Sequence, residues 1–526
     1  MPMIPEAVIA MLASARIGAI HVIVFGGFGA KELSNRINHA EPVVIVSASC
    51  GIESNRLIEY KPILDQAVTN SAHKPKKCIV VQREMLVVDL NSTIDVDYSD
   101  ELASARPHDC VPVAATDPIY MLHTSGTTGE PKAIVRPSGG HAVALYWTMK
   151  NVYDVTSDEV FWAASDLGWV VGHSYIAYAP LLYGCTSILY EGKPVGTPDA
   201  GAIFRAIRQH GCSSVFISPT AVRAIRREDP EGLLAAKYKL PKLRSFFMAG
   251  EICDHNTMNW IEEVINRGSN GNVKQVVDHW WQTESGWSIG AMCLGLGDRA
   301  YTKSSNVGKP VPGWNVKVLN SKGEEVSQGQ MGNLAVKLPL PPGAMSTIWK
   351  NDEKFVKTYF TKFPGYYDTL DSGRFDEFGH VNVLARTDDI INVAGHRLST
   401  GALEESVASC REVVECAVVG LNDMVKGEVP LALVVLRRGV DRDASELKNV
   451  IVSHVRETVG PVASLKDVVF VPRLPKTRTA KLSRSTMKAL ANGEPFTPPP
   501  TLEDVTVLDE IKCALGEAGI GQSHLN

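Results

Sequence analysis

The densest run of chemically useful residues is Thr124-Ser125-Gly126-Thr127-Thr128-Gly129-Glu130-Pro131-Lys132. Its glycines let the backbone come close to a ligand. Successive N–H groups in such a turn form an anion-binding concavity. The Thr and Ser hydroxyls add donors, Lys132 adds a positive charge, and Pro131 restricts the local chain. By composition this is either a polyphosphate cradle or a Ser/Thr/Gly surface loop. It is not a Walker A loop, because Gly126 and Gly129 are too close together and Lys132 follows a proline.

A second concentration of polar and aromatic groups is Asp278-His279-Trp280-Trp281-Gln282-Thr283-Glu284. It reads as the rim of a nucleotide-and-metal site. Glu284 could hold Mg2+, which binds through few carboxylates plus substrate phosphates. Ala249-Gly250-Glu251-Ile252 closes an apolar strand, Phe246 to Met248. Ligands gather at such strand ends in open α/β sheets. Around Trp169, Val170 and Val171, small residues run from Ala164 to Ser174; these are either ordinary core or the lining of a small acyl pocket.

The elements that must position these groups alternate strand and helix. Pro5 to Ile17 reads as an amphipathic helix, His21 to Phe25 as a buried strand, Ala30 to His39 as a helix and Val43 to Ser47 as a strand. That alternation implies a parallel sheet covered by helices, an α/β fold that here opens on a helix. Ala133 to Arg136, Ser214 to Ile217 and Phe246 to Met248 read as further strands. Ala200 to His210 reads as a helix, and Ser218-Pro219-Thr220 starts another with proline in its first turn. From about residue 305 shorter strands follow (Val316 to Leu319, Gly332 to Lys337, His380 to Leu384), a β-rich subdomain ending near residue 387. An α+β unit runs over 388–492, with strands Ile390 to Val393 and Val413 to Val419 and a helix Ala444 to Val459. Residues 493–526 read as a Pro-rich tail on the surface.

The 526 residues suffice for two or more domains. A net charge of −5 gives no reason to expect nucleic acid. Ten cysteines without a C-x-x-C pair fit free thiols in a reduced compartment. The apolar start, interrupted by Glu6 and Arg16, is neither a targeting segment nor a membrane span. Oligomeric state is not legible.

The string T-S-G-T-T-G-x-P-K resembles the phosphate loop of the adenylate-forming superfamily. Several further motifs in the same order are similar to the acetyl/propionyl-CoA synthetase group. They are Met1 to Glu6, Val24 to Phe28, Ser165 to Ser174, Asp278 to Glu284, Asp388 to Arg397 and Pro475 to Lys481. His279 and the run Gly192 to Pro198 tilt the likeness toward its propionyl-type, mitochondrial-like branch.

That resemblance implies a ligase using ATP, coenzyme A and Mg2+ on a short carboxylate, through an acyl-adenylate. It implies that Thr124 to Gly129 and Lys132 grip the phosphates, and that Gly250, Glu251, Ile252 and Asp278 to Thr283 flank the adenine. It makes Asp371 and Arg386 the ribose clamp, Glu284 the metal ligand, Lys481 the catalytic residue and Asp388 the hinge of a mobile C-terminal domain. Ala394, Arg397 and Arg456 meet CoA. Val170, Val171, Ala249 and Trp281 line the acyl pocket, whose make-up favours propionate over acetate and butyrate. The location implied is the mitochondrial matrix or the cytoplasm. Ala480 and Ala133 stand where the family usually has glycine, and the family's N-terminal segment does not precede Met1. A catalytically weak nucleotide-binding remnant is therefore the alternative.

Overall fold

The computed structural model describes residues 1–53, 56–124, 132–267, 273–299, 306–393, 396–437, 439–440, 442–460, 463–477, 481–499 and 502–521. The fold is α/β. Its central layer is a fully parallel sheet, ordered Thr186–Ser187, Val160–Ala163, Ser214–Ile217, Ser245–Met248, Gln275–Asp278. Ser214–Ile217 and Ser245–Met248 are buried throughout. Buried apolar runs of this kind are what a parallel sheet with two covered faces requires. Helices Ala202–His210, Pro219–Glu228 and His255–Asn266 pack their apolar sides against it. Ser218 Oγ caps Pro219–Glu228, accepting from the N–H of Ala221.

Pro118–Thr124 and Lys132–Pro137 pair antiparallel, so the Thr124–Lys132 loop joins the arms of a hairpin. Ala133 lies fully buried in the second arm, where extended backbone accepts its methyl group readily. The expected strand from His21 to Phe25 shrinks to His21–Val22. Phe25 leaves the sheet to pack on Trp169, with ring centres 5.2 Å apart.

Four antiparallel strands follow in the order Val316–Leu319, Gly332–Lys337, Tyr366–Phe375, Val381–Arg386. Their inner residues share one hydrophobic core with the upstream layers, through Val307, Val316, Leu334 and Val381. Beyond Ile390, separate cores surround the pair Val413–Asp423 and Gly427–Leu436. The Pro-rich tail is more ordered than expected. It carries helix Val507–Glu517, which buries Val507, Leu508, Ile511 and Leu515 against the same core as Met487 and Ala491. The spacing of those four residues gives one apolar helical stripe.

Among the described residues, no helix is long and apolar enough to cross a membrane. None forms a cluster of three or more metal-ligating side chains.

Candidate functional site

The site stands at the C-terminal ends of the parallel strands, against the edge of the antiparallel sheet. Asp371 and Arg386 are direct cross-strand partners, so the sheet itself sets them side by side. Arg386 Nη1 lies 3.3 Å from Asp371 Oδ1. The other carboxylate oxygen accepts from Trp280 Nε1 at 2.9 Å and Gln282 Nε2 at 2.6 Å. Gln282 is held in turn, donating to Thr369 O and accepting from Tyr367 OH. The preceding residue, Leu370, has φ +58°, a conformation costly for a side-chain-bearing residue. Burial raises the Asp371 pKa, while Arg386, Trp280 and Gln282 lower it. The result is a rigid acceptor beside a cation, suited to hydroxyl groups of a sugar.

Glu284, Lys132 and Tyr359 form a tight trio. Lys132 Nζ lies 3.0 Å from Glu284 Oε1, Tyr359 OH donates to that oxygen at 2.6 Å, and Lys132 donates to the Tyr359 hydroxyl at 2.7 Å. Burial raises the Glu284 pKa, but the Lys132 charge and both hydrogen bonds outweigh it and hold the carboxyl below its usual range. Tyr359→Phe removes a hydroxyl that serves two half-buried partners. We expect it to cost about 1–3 kcal/mol of stability, read as a lowered urea midpoint.

Beneath this trio lies Arg136, with no exposed surface. Its guanidinium donates to the carbonyls of Thr283, Glu284, Ser285 and Gly343 and to the Tyr120 hydroxyl. It thereby fixes the turn that carries Glu284.

Asp278 is buried and accepts from the N–H of Cys253 at 3.2 Å. Burial pushes its carboxyl up to about 8, so it is protonated at neutral pH. A raised carboxyl means that the folded state holds a proton the unfolded state has lost, so stability falls as pH rises from about 4 to 8. Asp278→Asn is expected to flatten that slope. Paired denaturation curves at pH 5 and pH 8 check it: the variant gains relative to the parent at the higher pH, and parallel curves would refute the assignment.

Gly250 adopts φ +109°, the left-handed region open to glycine, and turns the chain after the strand end. Glu251 pairs with Arg223 at 2.7 Å. Ile252 is half-buried. His279 departs from the expectation of a nucleotide-facing side chain: its ring is buried among Tyr153, Phe216 and Phe247. Val170, Val171, Ala249 and Trp281 all belong to one apolar cluster.

Lys481 comes from the C-terminal unit, in a turn where Lys481 O accepts from Thr477 N at 2.8 Å. Its side chain keeps exposed surface, while the charges of Glu251, Glu284 and Arg386 reach it from the preceding unit. Crowding there lowers its pKa, Glu251 and Glu284 raise it, and Arg386 lowers it. One cleft thus gathers Lys481 with Glu251, Glu284 and Arg386. Arg484, close to Lys481, spans Glu404 at 2.7 Å and Asp389 at 3.8 Å.

Ser125, Gly126, Thr127, Thr128, Gly129, Ala394 and Ala480 lie outside the described residues. Asp388 and Arg397 have described backbones only, in the turn Thr387–Asp389 and the strand His396–Ser399. Arg456 is exposed in the last turn of Ala444–Thr458 and takes no part in the cleft contacts above. Sequence reading missed Arg136 and Tyr359, whose local surroundings carry no motif; only the fold joins them to Glu284.

The sequence profile described as "AMP-binding enzyme" matches residues 1–349, and that of the "AMP-binding enzyme C-terminal domain" matches residues 402–481. The chain is 52% identical over 519 residues to the rat "Acyl-CoA synthetase short-chain family member 3, mitochondrial", covering 98% of this chain and 75% of that protein. The chain belongs to the AMP-binding enzyme family.

Within that family it is an acyl-CoA synthetase. The "Propionate--CoA ligase" of Escherichia coli K12 is 41% identical over 529 residues, covering 98% of this chain and 82% of the relative. The fold matches that of an acetoacetyl-CoA synthetase from Streptomyces lividans with a TM-score of 0.86 at 21% identity, over 98% of this chain and 77% of that one. Acyl-CoA synthetases of this family use ATP, CoA and Mg2+. The donor set here fits the metal: one half-buried carboxylate, Glu284, kept ionised by a cation that a metal can replace. The remnant alternative finds no support, since relatives named as an acyl-CoA synthetase and a propionate–CoA ligase match 98% of the chain.

Proposed function

We propose that this acyl-CoA synthetase joins propionate to coenzyme A, and that the residues of the cleft act in the order of the reaction. The carboxylate oxygen attacks the α-phosphorus of ATP, the bond to pyrophosphate breaks, and an acyl-adenylate forms. The CoA sulfur then attacks the acyl carbon, AMP leaves, and the thiol proton passes to solvent. Neither step needs a protein nucleophile; both need positioning and charge stabilisation.

The observation that carries this reading is the convergence of Lys481 with Glu251, Glu284 and Arg386. In our reading Asp371 and Arg386 hold the ribose, and Gly250 to Ile252 with Asp278 and Trp280 to Thr283 frame the adenine. The 124–132 loop holds the phosphates, and Lys481 neutralises charge on the reacting carboxylate and α-phosphate. Glu284 holds Mg2+, which when bound shields the phosphate charge. Lys481 serves the first step only, so the unit beyond residue 388 turns about Asp388 before CoA, met by Ala394, Arg397 and Arg456, is acylated.

The preference for propionate over acetate and butyrate rests on the apolar set Val170, Val171, Ala249 and Trp281, and on the propionate-specific name of the Escherichia coli relative. ATP–pyrophosphate exchange with the three acids tests it. Exchange strongest with propionate is expected, and exchange with none would refute the ligase reading. The names of the rat and mouse relatives favour the mitochondrion over the cytoplasm. Fractionation of the source cells decides that, a purely cytosolic signal counting against it.

A further inference from the structure

The acyl pocket has a second layer behind its walls. Trp281 meets Tyr175 edge-on with ring centres 5.5 Å apart, and lies 5.8 Å from Phe216. Both neighbours are pinned from behind. The Tyr175 hydroxyl lies 3.0 Å from Thr148 Oγ1, and its ring sits edge-on to Tyr153 at 4.9 Å. Phe216 packs on His279 at 4.8 Å.

His279 and Tyr153 hold one another, with 3.1 Å between Nε2 and the hydroxyl. On its other side His279 Nδ1 lies 2.7 Å from Met248 O. A carbonyl only accepts, so Nδ1 carries the proton and Nε2 accepts from Tyr153. Burial lowers the His279 pKa to about 4, so this neutral arrangement persists through neutral pH. Thr148, Tyr153 and Tyr175 have no exposed surface, and His279 is 2% exposed. No water therefore substitutes cheaply for a lost partner.

The packing continues to Val170 and Val171, which lie against the same apolar cluster. Val170 and Val171 start a continuous winding whose next segment, His173–Tyr178, is a π-helical turn. Tyr175 stands one turn beyond Val171, so fixing Tyr175 fixes Val171. Wide turns of this kind are uncommon and concentrate at functional sites.

We propose that the His279–Tyr153 hydrogen bond sets the size of the acyl pocket, by locking Trp281 and Val171 through Phe216 and Tyr175. His279 and Tyr153 are positioning residues; neither touches the acid. The inference rests on the acyl-CoA ligase reading and deepens it. Tyr153→Phe removes one hydroxyl and leaves the ring, so it loosens the lock with little change in volume. The measurement is kcat/KM for acetate, propionate and butyrate in ATP–pyrophosphate exchange, with the KM for ATP alongside.

The ratio of butyrate to propionate use is expected to rise about fivefold, within the range one methylene commands. The KM for ATP should stay within about twofold. A general loss of structure would lower all three acids together and leave the ratio where it was, and an unchanged ratio overturns the proposal. If Tyr153→Phe does not fold, Thr148→Val releases the far end of the same chain and is judged by the same ratio. If the parent chain exchanges with no acid, the ligase reading fails, an outcome distinct from a constant ratio.

Discussion

Lys481→Ala is expected to abolish acyl-adenylate formation while sparing the thioester step. Lys481 lies within electrostatic reach of Glu251, Glu284 and Arg386, and the reading proposed above sets the reacting carboxylate and α-phosphate beside it. A unit charge about 4 Å from an anion is worth on the order of 4 kcal/mol at an effective dielectric near 20. At 1.36 kcal/mol per power of ten, that predicts a loss of about a thousandfold in exchange. Alanine removes the charge from an exposed side chain, so folding should be unaffected. Two assays on one preparation check it: exchange with propionate and ATP, and formation of propionyl-CoA from supplied propionyl-AMP. Loss of both at equal rates would show that Lys481 serves the whole reaction or the fold. Retention of exchange would remove it from the chemistry.

Lysine 481 also shows what the sequence makes legible. The residues inside local motifs stand out by composition: the hydroxyls and glycines of the hairpin loop, the Trp pair and Glu284, the glycine after Met248. Strands Ser214–Ile217, Val316–Leu319, Gly332–Lys337 and Ile390–Val393 have the bounds that their apolar runs and flanking turns imply. Tyr366–Phe375 was hidden because it buries Asp368, Thr369, Asp371 and Ser372. Polar residues are ordinarily exposed; Asp368, Thr369 and Asp371 have partners here, such as Trp280 and Gln282 on Asp371, that only the folded chain supplies. His279 misled for the converse reason. It sits in a polar motif, but strand geometry turns its ring into the core. The convergence of Lys481 on Glu284 depends on how the units pack, which no local pattern encodes.

The second large effect is expected at Arg136, which carries no motif at all. Arg136→Met keeps much of the side-chain length and removes every donor. Four carbonyls, those of Thr283, Glu284, Ser285 and Gly343, then lose the donor they share. Glu284 O keeps the Met345 N–H at 2.9 Å, and each of the other three, left stranded, costs about 1–3 kcal/mol. Against this, the variant no longer buries a guanidinium, a saving of several kcal/mol. We expect a net loss of about 2–4 kcal/mol. The rate falls as well, because Glu284 rides on the freed turn. Misplacing a positioned group by an ångström costs about a hundredfold, so exchange should fall by about that factor.

Gly286 supplies the control. A Cβ there would lie 2.5 Å from Arg136 Cζ, and the backbone has φ +76°. Gly286→Ala alone meets both the clash and the conformational strain. In the Arg136→Met background a flexible side chain yields and only the strain remains, roughly 1 kcal/mol. A double-mutant cycle on urea midpoints should therefore show the two changes costing less together than apart, as contacting residues do. Strict additivity would mean that Arg136 does not hold this turn, and that Glu284 is placed by the Lys132 and Tyr359 contacts alone.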